Sequence, residues 1–231
     1  MIAPPTNPAP VCPTCGGLGW YYRDGANGAI LTRCRCGSGA NDERRRAYLE
    51  RIDGLKAHER EISFKLMTID PANQDAVMAV VGAATAGRGM ITLHGDPGTG
   101  KTFLLMAAVN AARARGVPAV YTTVTDLLDH LRAAFDPRSE ETFDRRWDLL
   151  LTCEVLALDE LDEFNTTPWA MERFLRLIDE RWRSMRSVLT LCATNDLFSA
   201  AIPDKVRSRI GDNRAAVFPL SGADRRGKAA A

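Results

Sequence analysis

The sequence predicts a three-layer αβα fold around a parallel β-sheet, preceded by a small cysteine-rich module. From about residue 63 onward, short apolar stretches alternate with longer stretches whose apolar residues recur at helical spacing. This alternation of strands and helices is typical of a parallel sheet that helices cover on both faces. In addition, four of the six cysteines lie within the first 36 residues, which indicates a separate module there.

Changes in composition divide the chain into five segments. Residues 1–11 are rich in proline and are expected to be disordered, and residues 12–40 contain the clustered cysteines. Residues 41–61 are densely charged with apolar residues at helical spacing, so we expect a solvated linker helix there. Residues 62–226 carry the strand–helix alternation and form the main domain, and residues 227–231 are a short tail.

The predicted strands of the main domain are short and apolar, and its helices show apolar residues on one face. Gly116 ends the first of these helices, as expected of a glycine that follows the last periodic residue. We predict strands at 90–94, 118–122, 154–158, 187–192 and 215–219, and helices at 101–115, 125–135, 141–151, 168–182 and 203–210.

Composition and charge exclude several classes of protein. The net charge is +1, so any contact with nucleic acid must come from local clusters of lysine and arginine. The first residues lack the basic and apolar regions of a signal peptide, and no apolar run approaches a membrane span. We therefore expect a cytoplasmic protein without membrane contact. The arginines at 44–46 are expected to form a solvated face, with contact to DNA or a partner as the alternative.

A glycine-rich loop, GDPGTGKT, lies between the first predicted strand of the main domain and the helix that follows. Its glycines permit backbone angles that aim several N–H groups at one point, and the helix N-terminus completes an anion cradle. Lys101 is expected to reach the β- and γ-phosphates of ATP, and the Thr102 hydroxyl to ligate Mg²⁺. The predicted nucleotide contacts are Gly95, Asp96, Pro97, Gly98, Thr99, Gly100, Lys101 and Thr102.

Two later strands also end in polar residues. The strand at 154–158 leads into Asp159 and Glu160, at the end of the sheet where ligands bind in such folds. Asp159 is expected to hold Mg²⁺ through water, and Glu160 to act as the general base on the attacking water. The next strand leads into Asn195, whose amide is expected to orient the water or touch the γ-phosphate. Asp162 and Glu163 are expected to be surface acids.

Two arginines, Arg207 and Arg209, lie on the last short helix. They form either a solvated face or an arginine finger that reaches the nucleotide of a neighbouring subunit. With the stretches TVTDLLDHLRAAF, CATN and VRSRI, these elements in this order resemble the AAA+ ATPases. The closer resemblance, over about residues 62–225, is to the DnaC/DnaI-type helicase loaders and the related transposition helper IstB.

The resemblance implies a role for each matching residue. Lys101 and Thr102 correspond to Walker A, Asp159 and Glu160 to Walker B, and Asn195 to sensor 1. Arg209 best matches the finger arginine, with Arg207 second, and Arg225 resembles an arginine near the family's C-terminus that contacts nucleotide. Only six residues follow Arg225, too few for the helical lid of many AAA+ proteins, as expected of the loader branch. The family also places a DNA-binding insertion near Thr122, Thr123 and Arg132.

The resemblance further implies an ATP-dependent loader that binds Mg²⁺, single-stranded DNA and the replicative DNA helicase. ATP binding is expected to order a ring or spiral of subunits, and hydrolysis to ADP and phosphate is expected to be slow without a partner. One alternative is an IstB-like transposition helper that binds duplex DNA and a transposase. Another is a zinc-bearing DNA-binding module whose nucleotide site is only structural.

The clustered cysteines have the spacing of a metal site. Cys12 and Cys15 form one close pair, Cys34 and Cys36 form another, and the residues between the pairs predict a β-hairpin. Four thiolates on facing turns can close a tetrahedral Zn²⁺ site with no open position, so we expect a structural zinc. The loader family docks its N-terminal module on the helicase, although contact with DNA is the alternative. Cys153 and Cys192 are expected to be core thiols.

Overall fold

A five-stranded sheet with helices on both faces forms the centre of the main domain. The predicted disordered N-terminus, the predicted tail, Cys36 and Arg225 all lie outside the part of the chain that the structure describes. This computed structural model describes residues 12–15, 20–25, 28–34, 39–139 and 141–224.

Ahead of this sheet, two antiparallel strands form the predicted hairpin. They are β1 (Trp20–Gly25) and β2 (Gly28–Arg33), whose backbones pair from one end of the hairpin to the other. Cys15 precedes β1 and Cys34 follows β2 directly, so the hairpin returns the chain to its starting point. This pairing brings cysteines from both ends of the module together.

Helices flank the sheet and connect its strands. The described residues include a helix at Gln74–Ala86 that the sequence did not predict. None of the helices in the described ranges is both long and apolar enough to cross a bilayer. The helices are α1 (Gly39–Arg51), α2 (Gln74–Ala86), α3 (Lys101–Ala114), α4 (Val124–Arg132), α5 (Phe143–Thr152), α6 (Pro168–Arg183) and α7 (Asp204–Ile210).

The strands of the main sheet all run parallel, in the spatial order β4-β5-β6-β3-β7. Parallel pairing of this kind requires a crossover between strands, which the helices supply. The observed sheet confirms the predicted αβα fold class. The strands are β3 (Gly89–His94), β4 (Ala119–Thr123), β5 (Val155–Asp159), β6 (Leu189–Thr194) and β7 (Ala216–Pro219).

Alternate residues of the central strands face the two helical layers, as the two-residue period of a strand requires. In β5, Leu156 and Leu158 pack into the core that includes residues of α1, α4, α5, α6 and α7. Val155 and Ala157 point the other way, into the core that includes α2 and α3. Both faces of β5 are therefore buried, which explains its uninterrupted apolar sequence.

The linker helix predicted at 41–61 is shorter in the structure, where α1 ends at Arg51, and it packs against the main domain. Tyr48, Leu49 and Ile52 belong to the same buried core as α4, α5 and α6. The expectation of a solvated face at 44–46 is wrong for Arg45, which is 4% exposed. Its guanidinium donates to both carboxylate oxygens of Glu154, at 3.2 and 3.0 Å, and to the carbonyl oxygen of Thr152. Because a buried guanidinium needs a charged partner, Glu154 holds Arg45 inside the domain.

A second buried cation, Arg181 of α6, ties helices to strands. Its side chain is fully buried and donates to the carbonyl oxygens of Leu150, Leu151, Cys153 and Leu189 and to the Thr190 hydroxyl, at 2.7–3.2 Å. Burial lowers the pKa of Arg181 to about 10. The five acceptors lie at the end of α5, ahead of β5 and in β6. Arg181 therefore fixes the start of the two strands whose far ends carry the candidate site.

Candidate functional site

The glycine-rich loop connects β3 to α3 and needs glycine at three positions. Gly95, Gly98 and Gly100 have φ values of 135°, 82° and 103°, in the region that side chains disfavour. A Cβ atom at Gly95 would overlap the carbonyl oxygen of Leu220, so no larger residue fits there. Gly100 is the N-cap of α3, and the helix therefore starts with its N–H groups directed at the loop.

Lys101 is the first residue of α3 and is 6% exposed. Its Nζ atom donates to the carbonyl oxygens of Gly95 and Asp96, at 2.6 and 2.9 Å. The Thr99 hydroxyl also donates to the Asp96 carbonyl oxygen, at 2.8 Å. These bonds fold the loop around the lysine ammonium, which places the positive charge within the loop that is predicted to hold phosphates.

Asp159 is the last residue of β5 and is buried. One carboxylate oxygen accepts from the Tyr121 hydroxyl at 2.9 Å, and the other accepts from the Glu160 backbone N–H, also at 2.9 Å. Burial, reinforced by the Asp159 charge, raises the pKa of Tyr121, so the phenol stays a donor. Tyr121 is therefore a positioning residue for Asp159, which sequence patterns did not reveal because it lies on the neighbouring strand.

Glu160 has an unusual backbone conformation. Its φ is 56°, the one positive φ among non-glycine residues of the described ranges. Such a conformation costs about 1–2 kcal/mol. Burial and the charges of Asp159, Glu163, Asp126 and Asp162 raise the pKa of Glu160. A carboxylate with a raised pKa accepts a proton more readily, as a general base requires.

Asn195 follows β6 directly and is held by two acids. Its side-chain amide donates to a Glu163 carboxylate oxygen at 3.0 Å, and its backbone N–H donates to Asp162 at 3.3 Å. Asp162 also accepts from the Asp196 backbone N–H at 3.0 Å. The expectation that Asp162 and Glu163 are plain surface acids is therefore incomplete, because both position the residue after β6.

The strand order brings these elements together. Because β6 lies between β3 and β5, Asn195 lies between the glycine-rich loop and the acids. One cavity of about 920 Å³ is lined by the loop, by the acids and by the amide. Gly95, Asp96 and Thr99 shape the loop itself. The predicted residues that line the cavity are Pro97, Gly98, Gly100, Lys101, Thr102, Asp159, Glu160 and Asn195.

Arg209 is placed elsewhere. It lines a separate cavity of about 470 Å³ between α6 and α7. Its guanidinium donates to Asp179 at 2.6 Å and stacks on Trp182, whose ring centroid is 4.3 Å from the guanidinium carbon. Arg214 stacks on the same ring at 3.9 Å. Asp179 and Trp182 thus hold Arg209 in place, away from the cavity that the glycine-rich loop and the acids line.

Arg207, the second finger candidate, lies on α7 and bonds to the segment that precedes this helix. Its guanidinium donates to the carbonyl oxygens of Leu197, Ser199 and Ile202, at 3.0–3.4 Å. It also pairs with Asp204 at 2.8 Å. Arg207 therefore makes more hydrogen bonds within the chain than Arg209, whose side chain is slightly more exposed, at 35% against 28%.

The cysteine cluster is visible in three of its four members. The Sγ atoms of Cys12, Cys15 and Cys34 all lie within 4.8 Å of one another, and those of Cys12 and Cys34 are 3.7 Å apart. Zinc–sulfur bonds of 2.3 Å in a tetrahedron separate sulfurs by about 3.8 Å, so the three residues fit such a site. Backbone hydrogen bonds from Cys15 and Thr14 lower the pKa of Cys12 to about 6, which favours the thiolate.

The predicted DNA contacts have different environments. Thr122 is buried, and the Thr123 hydroxyl caps α4 by accepting from the Asp126 N–H at 3.1 Å. Arg132 is half exposed, and its guanidinium carbon lies 5.1 Å from the Trp169 ring centroid. Phe135, which is 61% exposed, stacks on Phe143 beside them. Arg132 and its aromatic neighbours are therefore the accessible part of this region.

The glycine-rich loop before α3, the acids that follow β5 and the amide that follows β6 define an ATP-binding protein of the AAA+ P-loop class. Within that class, the profile of the IstB-like ATP binding proteins matches residues 37–208, which is more than half of the chain. The chain therefore belongs to the IstB-like ATP-binding family. The matched region begins just ahead of α1.

Replication proteins are among its relatives. The chromosomal replication initiator protein DnaA of Aliarcobacter butzleri (strain RM4018) is 22% identical to this chain over 150 residues. The alignment covers 64% of this chain and 34% of the relative, so the chain spans about a third of that protein's length.

Three solved structures share the fold of the main domain at identities below 25%. DnaA bound to AMPPCP and single-stranded DNA matches with a TM-score of 0.63 and 18% identity, covering 74% of this chain and 52% of its own. DnaI matches with a TM-score of 0.58 and 20% identity, covering 75% and 95%. The DnaC helicase loader matches with a TM-score of 0.54 and 18% identity, covering 72% and 100%.

Proposed function

We propose that this protein is an ATP-dependent loader of the replicative DNA helicase, with an ATPase site that two subunits share. One observation carries the proposal. The cavity gathers the loop, the acids and Asn195 from one chain, whereas Arg209 lies on another face of the same chain. A site that needs all of these groups is completed only when a neighbour supplies the arginine.

The chemistry at the cavity follows from its lining. The Thr102 hydroxyl and the Asp159 carboxylate would hold Mg²⁺, since this ion prefers oxygen ligands, and it would neutralise phosphate charge. Lys101 and the loop N–H groups would bind the β- and γ-phosphates. These residues would keep the triphosphate in one orientation, which is the larger part of catalysis in phosphoryl transfer.

Glu160 is the base that this arrangement provides. The oxygen of a water molecule attacks the γ-phosphorus, its proton passes to the Glu160 carboxylate, and the bond to the β–γ bridging oxygen breaks. ADP and inorganic phosphate are the products. Asn195, held by Glu163 and Asp162, would orient the attacking water. The raised pKa of Glu160 supports this assignment.

Replacing Arg209 by alanine is expected to lower the ATPase rate of the assembled protein by about 100-fold or more, since fingers of this kind supply large factors in rate. ATP binding by the isolated subunit should be retained, because Arg209 does not line the proposed nucleotide cavity of its own chain. Steady-state phosphate release and nucleotide titration measure the two effects. Arg183→Ala is the matched control, since Arg183 pairs with the same Asp179.

A mixing experiment separates action in trans from action in cis. An Arg209→Ala subunit keeps an intact cavity, and a Glu160→Gln subunit keeps an intact finger. Mixing the two inactive variants should therefore restore hydrolysis at their shared interfaces. If no activity returns, and if the ATPase rate per subunit of the unmodified protein does not depend on protein concentration, the proposal of a shared site is wrong.

Single-stranded DNA is the proposed nucleic acid partner. The exposed ring of Phe135, with Arg132 and Trp169 beside it, offers aromatic faces and a guanidinium. Bases of any sequence stack on such surfaces, and the cation adds attraction for the backbone. The cysteine module is the proposed contact for the helicase. The share of the DnaI and DnaC chains covered by the common fold is consistent with this function.

The partner is tested with purified components. With ATP and circular single-stranded DNA, the full chain is expected to bind the hexameric replicative helicase of its host and to increase the amount of helicase on the circle. The match to the IstB-like profile favours one alternative, a transposition helper. Binding to a transposase and to duplex DNA, without any effect on the helicase, would establish that alternative. ATP binding without turnover, even with DNA and helicase present, would indicate a purely structural nucleotide site.

A further inference from the structure

The segment that follows β7 runs across the glycine-rich loop. The Leu220 backbone N–H donates to the His94 carbonyl oxygen at 2.7 Å, and the Leu220 carbonyl oxygen occupies the space where Gly95 would carry a Cβ atom. We call residues 220–224 the strap. It approaches the loop so closely that any motion of one must be accommodated by the other.

A buried asparagine anchors the strap. Asn73, which is 2% exposed, donates to the Ser221 carbonyl oxygen at 2.8 Å and accepts from the Ser221 N–H at 3.0 Å. The amide thus satisfies both backbone groups of one strap residue, as a neighbouring strand would. Asn73 lies 148 residues earlier in the chain, at the start of α2, so this contact fixes the strap to that helix.

The last described residue of the strap is an acid that rests on the phosphate loop. A Cβ atom at Gly98 would overlap the Asp224 carboxylate and would lie 2.8 Å from the Asp224 Cα atom. Ala223 and Asp224 line the same cavity as Gly100, Lys101 and Thr102. The strap therefore introduces a negative charge into a cavity whose loop is built to attract anions.

We propose that the strap is an autoinhibitory element, in which the Asp224 carboxylate opposes the phosphates of ATP at the glycine-rich loop. The inference rests on the proposed nucleotide site and adds its regulation. The loop and Lys101 favour any anion, so the carboxylate is held there at low cost until a nucleotide arrives. Two like charges a few ångströms apart repel, so ATP binds fully only when the carboxylate moves aside. A partner that displaces the strap thereby raises the affinity for ATP.

The decisive variant is Asp224→Asn, which keeps the shape of the side chain and removes its charge. Its Kd for ATP, measured by calorimetry on the full chain, is expected to fall by about tenfold. The Kd for AMP is expected to fall less, because AMP carries less charge than ATP. Asp129→Asn is the control, since Asp129 is an exposed acid on α4 paired with Arg132, and its Kd for ATP should equal that of the unmodified protein.

A second variant tests the anchor. Asn73→Ala removes both contacts to Ser221 and is expected to tighten ATP binding in the same direction, with thermal unfolding measured to establish that the domain is intact. Unchanged or weaker ATP binding by Asp224→Asn would overturn the inference, and weaker binding would indicate that the carboxylate serves the nucleotide. If the unmodified protein and every variant are folded but bind no ATP, it is the nucleotide site itself that fails.

Discussion

ATP hydrolysis is expected to fall by about 100-fold or more when Glu160 is replaced by glutamine, since a positioned general base contributes a factor of this size or larger. The amide keeps the shape of the side chain but accepts no proton from the attacking water. Lys101, Thr102 and Asp159 are unchanged, so ATP binding should persist and the ATP-bound assembly should last longer. Single-turnover phosphate release measures the first effect and nucleotide titration measures the second.

Two controls make this result specific. Glu50→Gln changes an exposed acid of α1 and should leave hydrolysis unchanged. Glu163→Gln weakens the partner of the Asn195 amide, so it should slow hydrolysis less than Glu160→Gln does.

The pH profile of hydrolysis is a further check on the role of Glu160. Because the pKa of Glu160 is raised, hydrolysis should decline as the pH falls through that pKa and the base becomes protonated. Full activity of Glu160→Gln would show that another group takes the proton.

The largest effect on stability is expected for Arg181→Met, with a loss of at least about 3 kcal/mol in the free energy of unfolding. The guanidinium satisfies four carbonyl oxygens and one hydroxyl in a region without solvent access. Methionine fills much of the volume but donates no hydrogen bond, so those acceptors lose their partner in the interior. Urea denaturation, followed by circular dichroism, measures the change.

Arg176→Met is the matched control for this experiment. Arg176 lies on the same helix, is half exposed, and pairs with Glu180 four residues later, so its replacement should cost less than about 1 kcal/mol. Arg181→Lys keeps a positive charge but lacks the planar fork, and it should be destabilised nearly as much as Arg181→Met. If Arg181→Met is as stable as the unmodified protein, the buried hydrogen bonds are offset by their desolvation.

The sheet could be predicted from the sequence because its strands are buried on both faces. The strand β5 is therefore a continuous apolar run up to Asp159, β6 is interrupted only by the buried Thr190, and the polar residues at the ends of both strands stand out. The helix α2 escaped prediction for the opposite reason. Its apolar residues do not fall on one face, since Met78 is exposed although Val77 and Val80 are buried. Helical periodicity is weak in such a segment.

The candidate site also contains residues that the sequence could indicate and residues that it could not. The glycine-rich loop, Asp159, Glu160 and Asn195 each lie next to a strand end, so a linear pattern indicates them. The other residues make contacts between segments that are far apart in the chain. The Tyr121 hydroxyl donates to Asp159, Asp162 accepts from the Asn195 backbone N–H, and Asp224 lies against Gly98. Nothing in a local pattern reports such contacts. For the same reason, a run of charges concealed that Arg45 is an interior residue.

The contact between Arg45 and Glu154 lies at the opposite end of β5 from the candidate site. Glu154 immediately precedes β5, and Asp159 and Glu160 lie at the other end of that strand. Five residues of extended chain span about 16 Å. The helix α1, which follows the cysteine module, is therefore anchored at the end of β5 opposite the proposed nucleotide site. A macromolecule bound there would not compete with ATP for space, because the length of β5 separates its point of attachment from the acids.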